Sequence, residues 1–441
     1  MDMANFVSNV IHGKIFKGDL VVWMIYFLLC MVSLEEVYSA SSRLTFAGAS
    51  HWAPFVNQVV FLSVGFMVVW IVHRIPCKWF NLFPPILWPL AILGLAYTAL
   101  MGGGTLNGTH RWIRIGSFTL QPSEFVKCFT IMWTAMVLAR SQAVVKNEKG
   151  KIVVGAVKGK PWQPFMWVAI PMAVSCGLIF MDNVSTALML FTVILAMMIL
   201  GHIPWVYILK GLGALGILAG FVMTLAFLMP EEALSNNGAL KRLATVKHRI
   251  ERFSGGEESV APDDVAYWFS DKNSQSTHAK IAIANSNYVG RGPGNSVQRD
   301  FLQHAESDFI YAIVIEEFGI VGGLFVMILY IALFIRTNRI AQKCRKFFPA
   351  YLVLGFGMMI TLQALVNMAV AVGAIPVTGQ TLPFISRGGT SILVTSFCMG
   401  VILSVSRYAE AAQLQELSEK EKEQLASENE TDEYATDGNM M

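Results

Sequence analysis

Along the chain, apolar positions gather into ten long runs, roughly 18–40, 54–73, 83–101, 121–140, 162–181, 184–202, 205–229, 309–335, 347–374 and 385–407. A bilayer core calls for about 20 apolar residues per helix, and each run is near or above that length. A membrane barrel would show short alternating segments instead. The pattern predicts an all-α polytopic membrane protein of ten transmembrane helices, with its largest break, 230–308, between helices seven and eight. It divides the chain into an N-terminal cytoplasmic segment 1–17, a membrane domain 18–408 and an acidic tail 409–441.

Composition supports this class, with 54% hydrophobic and only 14% charged residues among 441. Basic residues then set the orientation. Arg74 and Lys78, the group from Arg140 to Lys160, and the group from Arg336 to Lys346 all fall on one side if both termini are cytoplasmic. The outer loops 102–120 and 230–308 are exceptions. The long one translocates largely regardless of charge, whereas Arg111 and Arg114 in the short one need a reason. The net charge of +3 hides an uneven split, because the chain from Glu410 onward holds ten acidic residues against two lysines. That tail reads as disordered or as a short solvated helix.

No cleavable leader pattern is read at the start, and the first span serves as its own anchor. The six cysteines are scattered through spans and cytoplasmic loops, which predicts no disulfide framework. No GxxxxGK[ST] or HExxH motif occurs, and nothing points to nucleic acid. Glu35 and Glu36 close the first span, where pairing with Arg43 or another loop cation near the outer surface is expected.

Chemistry concentrates on the outer side. After Gly102–Gly104, the segment Arg111-Trp112-Ile113-Arg114-Ile115 reads as amphipathic and interfacial. Gln121-Pro122-Ser123-Glu124 opens the fourth span, and Glu124 and Lys127 stand three apart on one face. Two readings stand there: an ion pair that fixes helix packing, or part of a positive site for an anionic group. Asp182-Asn183 lies in a tight hairpin, where such residues cap turns. Loop 230–308 carries a basic patch from Lys241 to Arg252 and the aromatic triplet 267–269, and reads as a partly ordered cover. The stretch 367–391, with its glycines and prolines at membrane depth, implies broken helix lining a cavity.

The segment 290–319, GRGPGNSVQRDFLQHAESDFIYAIVIEEFG, runs from a glycine-rich loop through His304, Glu306 and Asp308 into a helix holding Glu316 and Glu317. Ionisable groups at membrane depth are functional candidates by default. Together these outer segments describe a site for an anionic, partly lipidic substrate.

RWIRIGSFTLQPSEFVK, GRGPGNSVQ, ESDFIYAIVIEEFG and PVTGQTLPFISRGGTS resemble the signatures of the SEDS family (shape, elongation, division, sporulation) over nearly the whole chain. GNSVQ and GQTLP look closer to its cell-division branch. The resemblance implies a peptidoglycan glycosyltransferase polymerising lipid II at the outer face of the cytoplasmic membrane. The partners it implies are a class B penicillin-binding transpeptidase, other divisome proteins and membrane lipids. The family's essential aspartate carries over to Asp308, and its outer-loop motif to Arg111, Trp112, Gln121, Pro122, Ser123, Glu124 and Lys127. Asp182, Arg291, Asn295, Ser296, Glu306, Thr378, Ser386 and Arg387 complete the expected substrate-binding set. Asp308 is the expected general base, and Arg111, Lys127, Arg291 or Arg387 would offset diphosphate charge. No cofactor is implied with certainty; a divalent cation, Mg or Mn, between diphosphate and carboxylate is compatible. The order His304-Ala305-Glu306-Ser307-Asp308 exchanges the family's acid and imidazole, Asp182-Asn183-Val184 replaces Asp-Leu-Gly, and Arg387 replaces an aromatic. A lipid II flippase and a non-catalytic divisome scaffold are the competing functions.

Overall fold

The computed structural model describes residues 16–40, 52–101, 113–115, 118–146, 152–157, 159–228, 274–302 and 305–437. Helices stand at all ten apolar runs. Five of them are α1 (Leu20–Ala40), α2 (Ala53–Val72), α4 (Pro84–Met101), α5 (Pro122–Ser141) and α6 (Trp162–Asp182). The others are α7 (Val184–Leu200), α8 (Trp205–Leu228), α10 (Ile310–Lys343), α11 (Phe347–Ala371) and α12 (Gly389–Asp437). Two short helices lie between them, α3 (Cys77–Leu82) and α9 (Ser274–Ala284). By length and apolarity, α1, α2, α6, α10, α11 and the Gly389–Gln415 part of α12 are each able to cross a bilayer. Shorter apolar stretches in α4, α7 and α8 join them, and α5 is a 20-residue helix carrying Glu124, Lys127 and Arg140. The chain is a multi-pass helical membrane protein.

The centre is formed by α11 and α12, whose most apolar windows are 67% and 78% buried against 28% in α2 and α6. Small residues let the backbones approach. A Cβ on Gly355 of α11 would lie 2.6 Å from Ile131 on α5 and 2.9 Å from the Met197 sulfur on α7.

One end of the bundle is basic. Asp19 accepts from Arg336 Nε at 2.5 Å, Arg407 donates to the Arg74 carbonyl at 2.9 Å, and the Arg74 guanidinium lies 3.5 Å over Trp70. The start of α1 and the end of α2 therefore meet α10 and α12 at the face where the basic loops were expected.

Several elements differ from the pattern reading. At Gly319 (φ 72, ψ −175) α10 is broken, so the short helix 310–318 precedes the long span. Periodicity alone does not register such a break. The outer-loop segment read as amphipathic and interfacial takes the form of a hairpin, β1 (Ile113–Ile115) with β2 (Phe118–Leu120), pairing Ile113 with Leu120. A second hairpin, β3 (Gln142–Lys146) with β4 (Ile152–Val157), stands in a loop read only for its charge; its valines favour strand pairing. The tail from 409 to 437 continues α12, in keeping with its Glu, Lys, Gln, Leu and Ala content. Glu36 turns inward and is fully buried, and among the described residues neither carboxylate oxygen has a hydrogen-bond partner. Glu35 instead faces an apolar groove of about 790 Å³ between α1 and α10, lined also by Tyr38, Trp52, Phe318 and Phe325. Arg43, the patch 241–252 and the triplet 267–269 lie outside the described residues.

Candidate active site opposite the basic end

Proline at N1 suits the first turn of α5, because its missing N–H would be an orphan donor there in any case. That start places Ser123, Glu124 and Lys127 in the interior. Lys127 Nζ lies 2.8 Å from Glu124 Oε1 and donates to Gln363 Oε1 at 3.2 Å, with its side chain wholly shielded. Gln363, on α11, passes the link on, donating from Nε2 to the Thr381 carbonyl at 3.0 Å. Thr381 and Ser391 hydroxyls meet at 3.2 Å.

One helical turn along α11, Asn367 does the same for Asp308. Its Nδ2 donates to the Asp308 carbonyl at 2.8 Å and to the Gln380 carbonyl at 2.7 Å, while its buried Oδ1 has no partner among the described residues. Helix α10 begins after Phe309, whose side chain makes no capping bond, so Asp308 stands just outside the helix. Asp308 is half-buried. Gly379, exposed and with φ +65, faces it, and a Cβ there would lie 3.7 Å from Asp308 Oδ2. A glycine at this left-handed position thus leaves the approach to the carboxylate open.

The broken segment 372–388 is held from several sides. Asn183 caps α7 by accepting from the Ser185 and Thr186 amides at 3.0 and 3.4 Å, and donates to the Thr378 carbonyl at 3.3 Å. Gln380 donates to the Thr186 hydroxyl. Ser386 accepts from the Leu382 amide at 2.7 Å and donates to the Ser307 carbonyl. The Arg387 amide donates to the Glu306 carbonyl at 2.8 Å. Thr390 donates to the Thr119 carbonyl at 2.6 Å, which joins the β1–β2 hairpin to the start of α12.

Behind this site Glu316 and Glu317 bind the glycine-rich loop. Glu316 accepts from the Ser296 hydroxyl and from the Val297 and Gln298 amides at 3.1 and 3.2 Å. Glu317 accepts from the Gly294 and Ser296 amides at 2.8 and 3.2 Å and from the Ser39 hydroxyl. Their backbone carbonyls accept from Arg291 and Gly292 at 3.0 and 2.9 Å. A Cβ on Gly290 would overlap the Glu317 carbonyl, and one on Gly319 the Tyr288 carbonyl, so both positive-φ glycines are needed for this close approach. Arg299 completes the staple, donating to Ser39 at 2.9 Å and to the Gly294 carbonyl at 2.7 Å.

Residues 19–411 match the FtsW/RodA/SpoVE family, described as cell cycle proteins. The chain belongs to this family. It is 31% identical over 387 residues to the probable peptidoglycan glycosyltransferase FtsW of Saccharophagus degradans, spanning 85% of this chain and 89% of that one. It is 29% identical over 400 residues to the protein of the same description from Coxiella burnetii, covering 87% and 95%. Stage V sporulation protein E of Bacillus subtilis is 27% identical over 399 residues, covering 89% and 97%. Among solved structures, the rod shape determining protein RodA of Thermus thermophilus superposes with a TM-score of 0.60 at 20% identity, covering 89% and 97%. A chain from work on structural coordination of polymerization and crosslinking by a peptidoglycan synthase complex gives 0.65 at 21%, covering 89% and 99%. Both share the fold.

On this FtsW/RodA/SpoVE fold, the residues singled out in the sequence fall into three groups. Gln121, Ser123, Glu124, Lys127, Glu306, Asp308, Thr378, Ser386 and Arg387 lie on segments joined by the bonds above. Arg291, Asn295 and Ser296 lie on the stapled loop; Ser296 is buried against Glu316, while Arg291 and Asn295 are exposed. Arg111, Trp112, His304 and the Asp182 side chain are outside what the structure describes. Gln363 escaped the sequence reading of the site, and Asn367 and Gln380, inside the stretch 367–391 read as part of it, were given no role of their own. Two amides four residues apart in an apolar run share one helix face and were the available signal.

Proposed function

We propose that the chain is a peptidoglycan glycosyltransferase of the cytoplasmic (inner) membrane, acting at the division septum. It polymerises lipid II, a disaccharide-peptide on undecaprenyl diphosphate, into β(1→4)-linked glycan. The observation that carries this reading is Asp308, a half-buried carboxylate approached past Gly379 and tied through α11 to the Lys127–Glu124 pair. The kinship to relatives described as probable glycosyltransferases supports it.

In this reaction the 4-hydroxyl of the acceptor sugar attacks the anomeric carbon of the donor. Asp308 takes the hydroxyl proton as the new C–O bond forms. The bond to the diphosphate breaks with its electron pair on the leaving oxygen. Attack opposite an α-linked diphosphate inverts the centre, so one base suffices, by analogy with inverting glycosidases. The leaving charge calls for fixed cations. Arg387 is partly exposed and adjoins the segment bearing Asp308, which suits it to this role. Lys127 is fully buried and paired, so in this conformation it sets helix packing and acts on the diphosphate only through its field. Among the described residues, no three His, Cys, Asp or Glu side chains form a metal-holding group. A divalent cation would therefore draw ligands from the diphosphate itself beside Asp308, and no step here runs through it.

A class B penicillin-binding transpeptidase is the proposed partner, together with other divisome proteins. The test is polymerisation of labelled lipid II by the purified chain with that transpeptidase. Long glycan strands support the enzyme. Lipid II translocation in proteoliposomes without polymer would instead make it a flippase, and neither activity would leave a scaffold.

A further inference from the structure

Helix α11 carries two amide side chains, Gln363 and Asn367, four residues apart and so on one face. Both are nearly or fully buried, at 3% and 0% exposure. Each bridges the same broken segment to a different ionisable residue. Gln363 accepts from Lys127 and donates to the Thr381 carbonyl; Asn367 donates to the carbonyls of Gln380 and Asp308. Gln380 and Thr381 are adjacent, so two successive peptides of the segment are held by one face of α11. The rise between the two amides is about 6 Å, the pitch of roughly one helical turn.

The orientation of Asn367 is decided by its neighbours. Both of its bonds go to carbonyl oxygens, which accept only, so the nitrogen must face them. Its Oδ1 is then left, in a buried place, without a donor among the described residues. An amide held in this way fixes the Asp308 main chain against Gly379, the residue that faces the carboxylate.

We propose that Gln363 and Asn367 form a positioning clamp that sets the Asp308 carboxylate relative to the bound lipid-linked donor and acceptor sugar. This rests on the glycosyltransferase reading above. Asn367 acts through Asp308 and does not react. Loss of its two donated bonds frees the mouth of α10 from the 372–388 segment, so the base is misplaced while substrate affinity is kept. Placement errors of this kind reduce turnover more than binding.

The test compares wild type, Asn367→Leu, Asn367→Asp and Gln363→Met in the full chain with its transpeptidase, using labelled lipid II. Thermal melting in detergent and size-exclusion profile report folding. The clamp predicts kcat lowered about 10–100-fold in both Asn367 variants, with KM within about twofold. It predicts a smaller kcat loss, about threefold to tenfold, in Gln363→Met, and a displaced acid limb of the pH–rate profile in Asn367→Leu. In an Asp308→Asn background, Asn367→Leu should lower the residual rate no further, because its effect runs through the carboxylate. A KM rise at unchanged kcat, full activity in folded variants, or the same fold-loss with and without the carboxylate would each overturn the clamp. Should Asn367→Leu fail to fold, the kcat and KM of Asn367→Asp and the kcat of Gln363→Met decide. Absence of polymer from wild type is a separate result that removes the underlying reading.

Discussion

Glu124 and Lys127 form a 2.8 Å ion pair in the first turns of α5, with side chains only 10% and 0% exposed. Removing one member strands the other in a poorly solvated place, which costs about 3–5 kcal/mol. Lys127→Met should therefore lower stability by about that amount. Replacing both, as Glu124→Leu with Lys127→Met, should recover much of the loss. Chemical or thermal unfolding in detergent checks this, and strictly additive losses would speak against a coupled pair.

Glu316 and Glu317 hold the 294–298 loop through main-chain amides. Bonds to charged groups are worth about 1.5–3 kcal/mol each. In Glu316→Ala the amides of Val297 and Gln298 lose their acceptor, and local opening should become easier by a few kcal/mol. Amide hydrogen exchange should speed up across 291–299 and leave α11 unchanged. Exchange that rises evenly over the chain would contradict a local staple.

Gly379 occupies φ +65 with Asp308 Oδ2 facing its missing side chain. Alanine at such a backbone costs about 1–2 kcal/mol. Valine in addition would cover the carboxylate. Polymerisation should fall about tenfold in Gly379→Ala and further in Gly379→Val, with melting lowered modestly. Equal activity in all three would mean that substrate does not pass this residue.

Glu36 is fully buried, with both carboxylate oxygens unpartnered among the described residues. A buried unsatisfied group costs about 1–3 kcal/mol, more when charged. Glu36→Met keeps the volume and removes that penalty. It should raise the melting temperature and leave polymerisation within about twofold. A fall in melting temperature would show a partner that the described residues do not include.

How far the sequence discloses this molecule depends on periodicity. The helices at the ten apolar runs were legible because each run is near bilayer length, which no soluble fold requires. The break at Gly319 was not, since EEFGIVGG reads as one continuous apolar helix until Tyr288 and Gly290 are placed against it. Asp308, Glu124 and Lys127 stood out as ionisable residues at the mouths of spans. Gln363 and Asn367 did not, because a lone amide in a span is as often a packing residue as a site residue. Only the meeting of α5, α10 and the 372–388 segment on one face of α11 gives those amides a function. Ser296 illustrates the converse: a conspicuous motif residue whose hydroxyl is directed to Glu316, on the staple side. The Glu35–Glu36 pair divides, one toward the groove and one inward, a choice set by the rotation of α1 that two adjacent glutamates do not reveal.

The account depends most on Asp308 as the base. The decisive measurement is the single-turnover rate of glycan bond formation from labelled lipid II by wild type and Asp308→Asn, each with its transpeptidase and each shown to be folded. Asparagine keeps the size and the main-chain bond to Asn367 but accepts no proton. General base catalysis is worth about 10²–10⁴-fold, so the rate should fall by at least about 100-fold while lipid II binding persists. A rate within about threefold of wild type would contradict the mechanism.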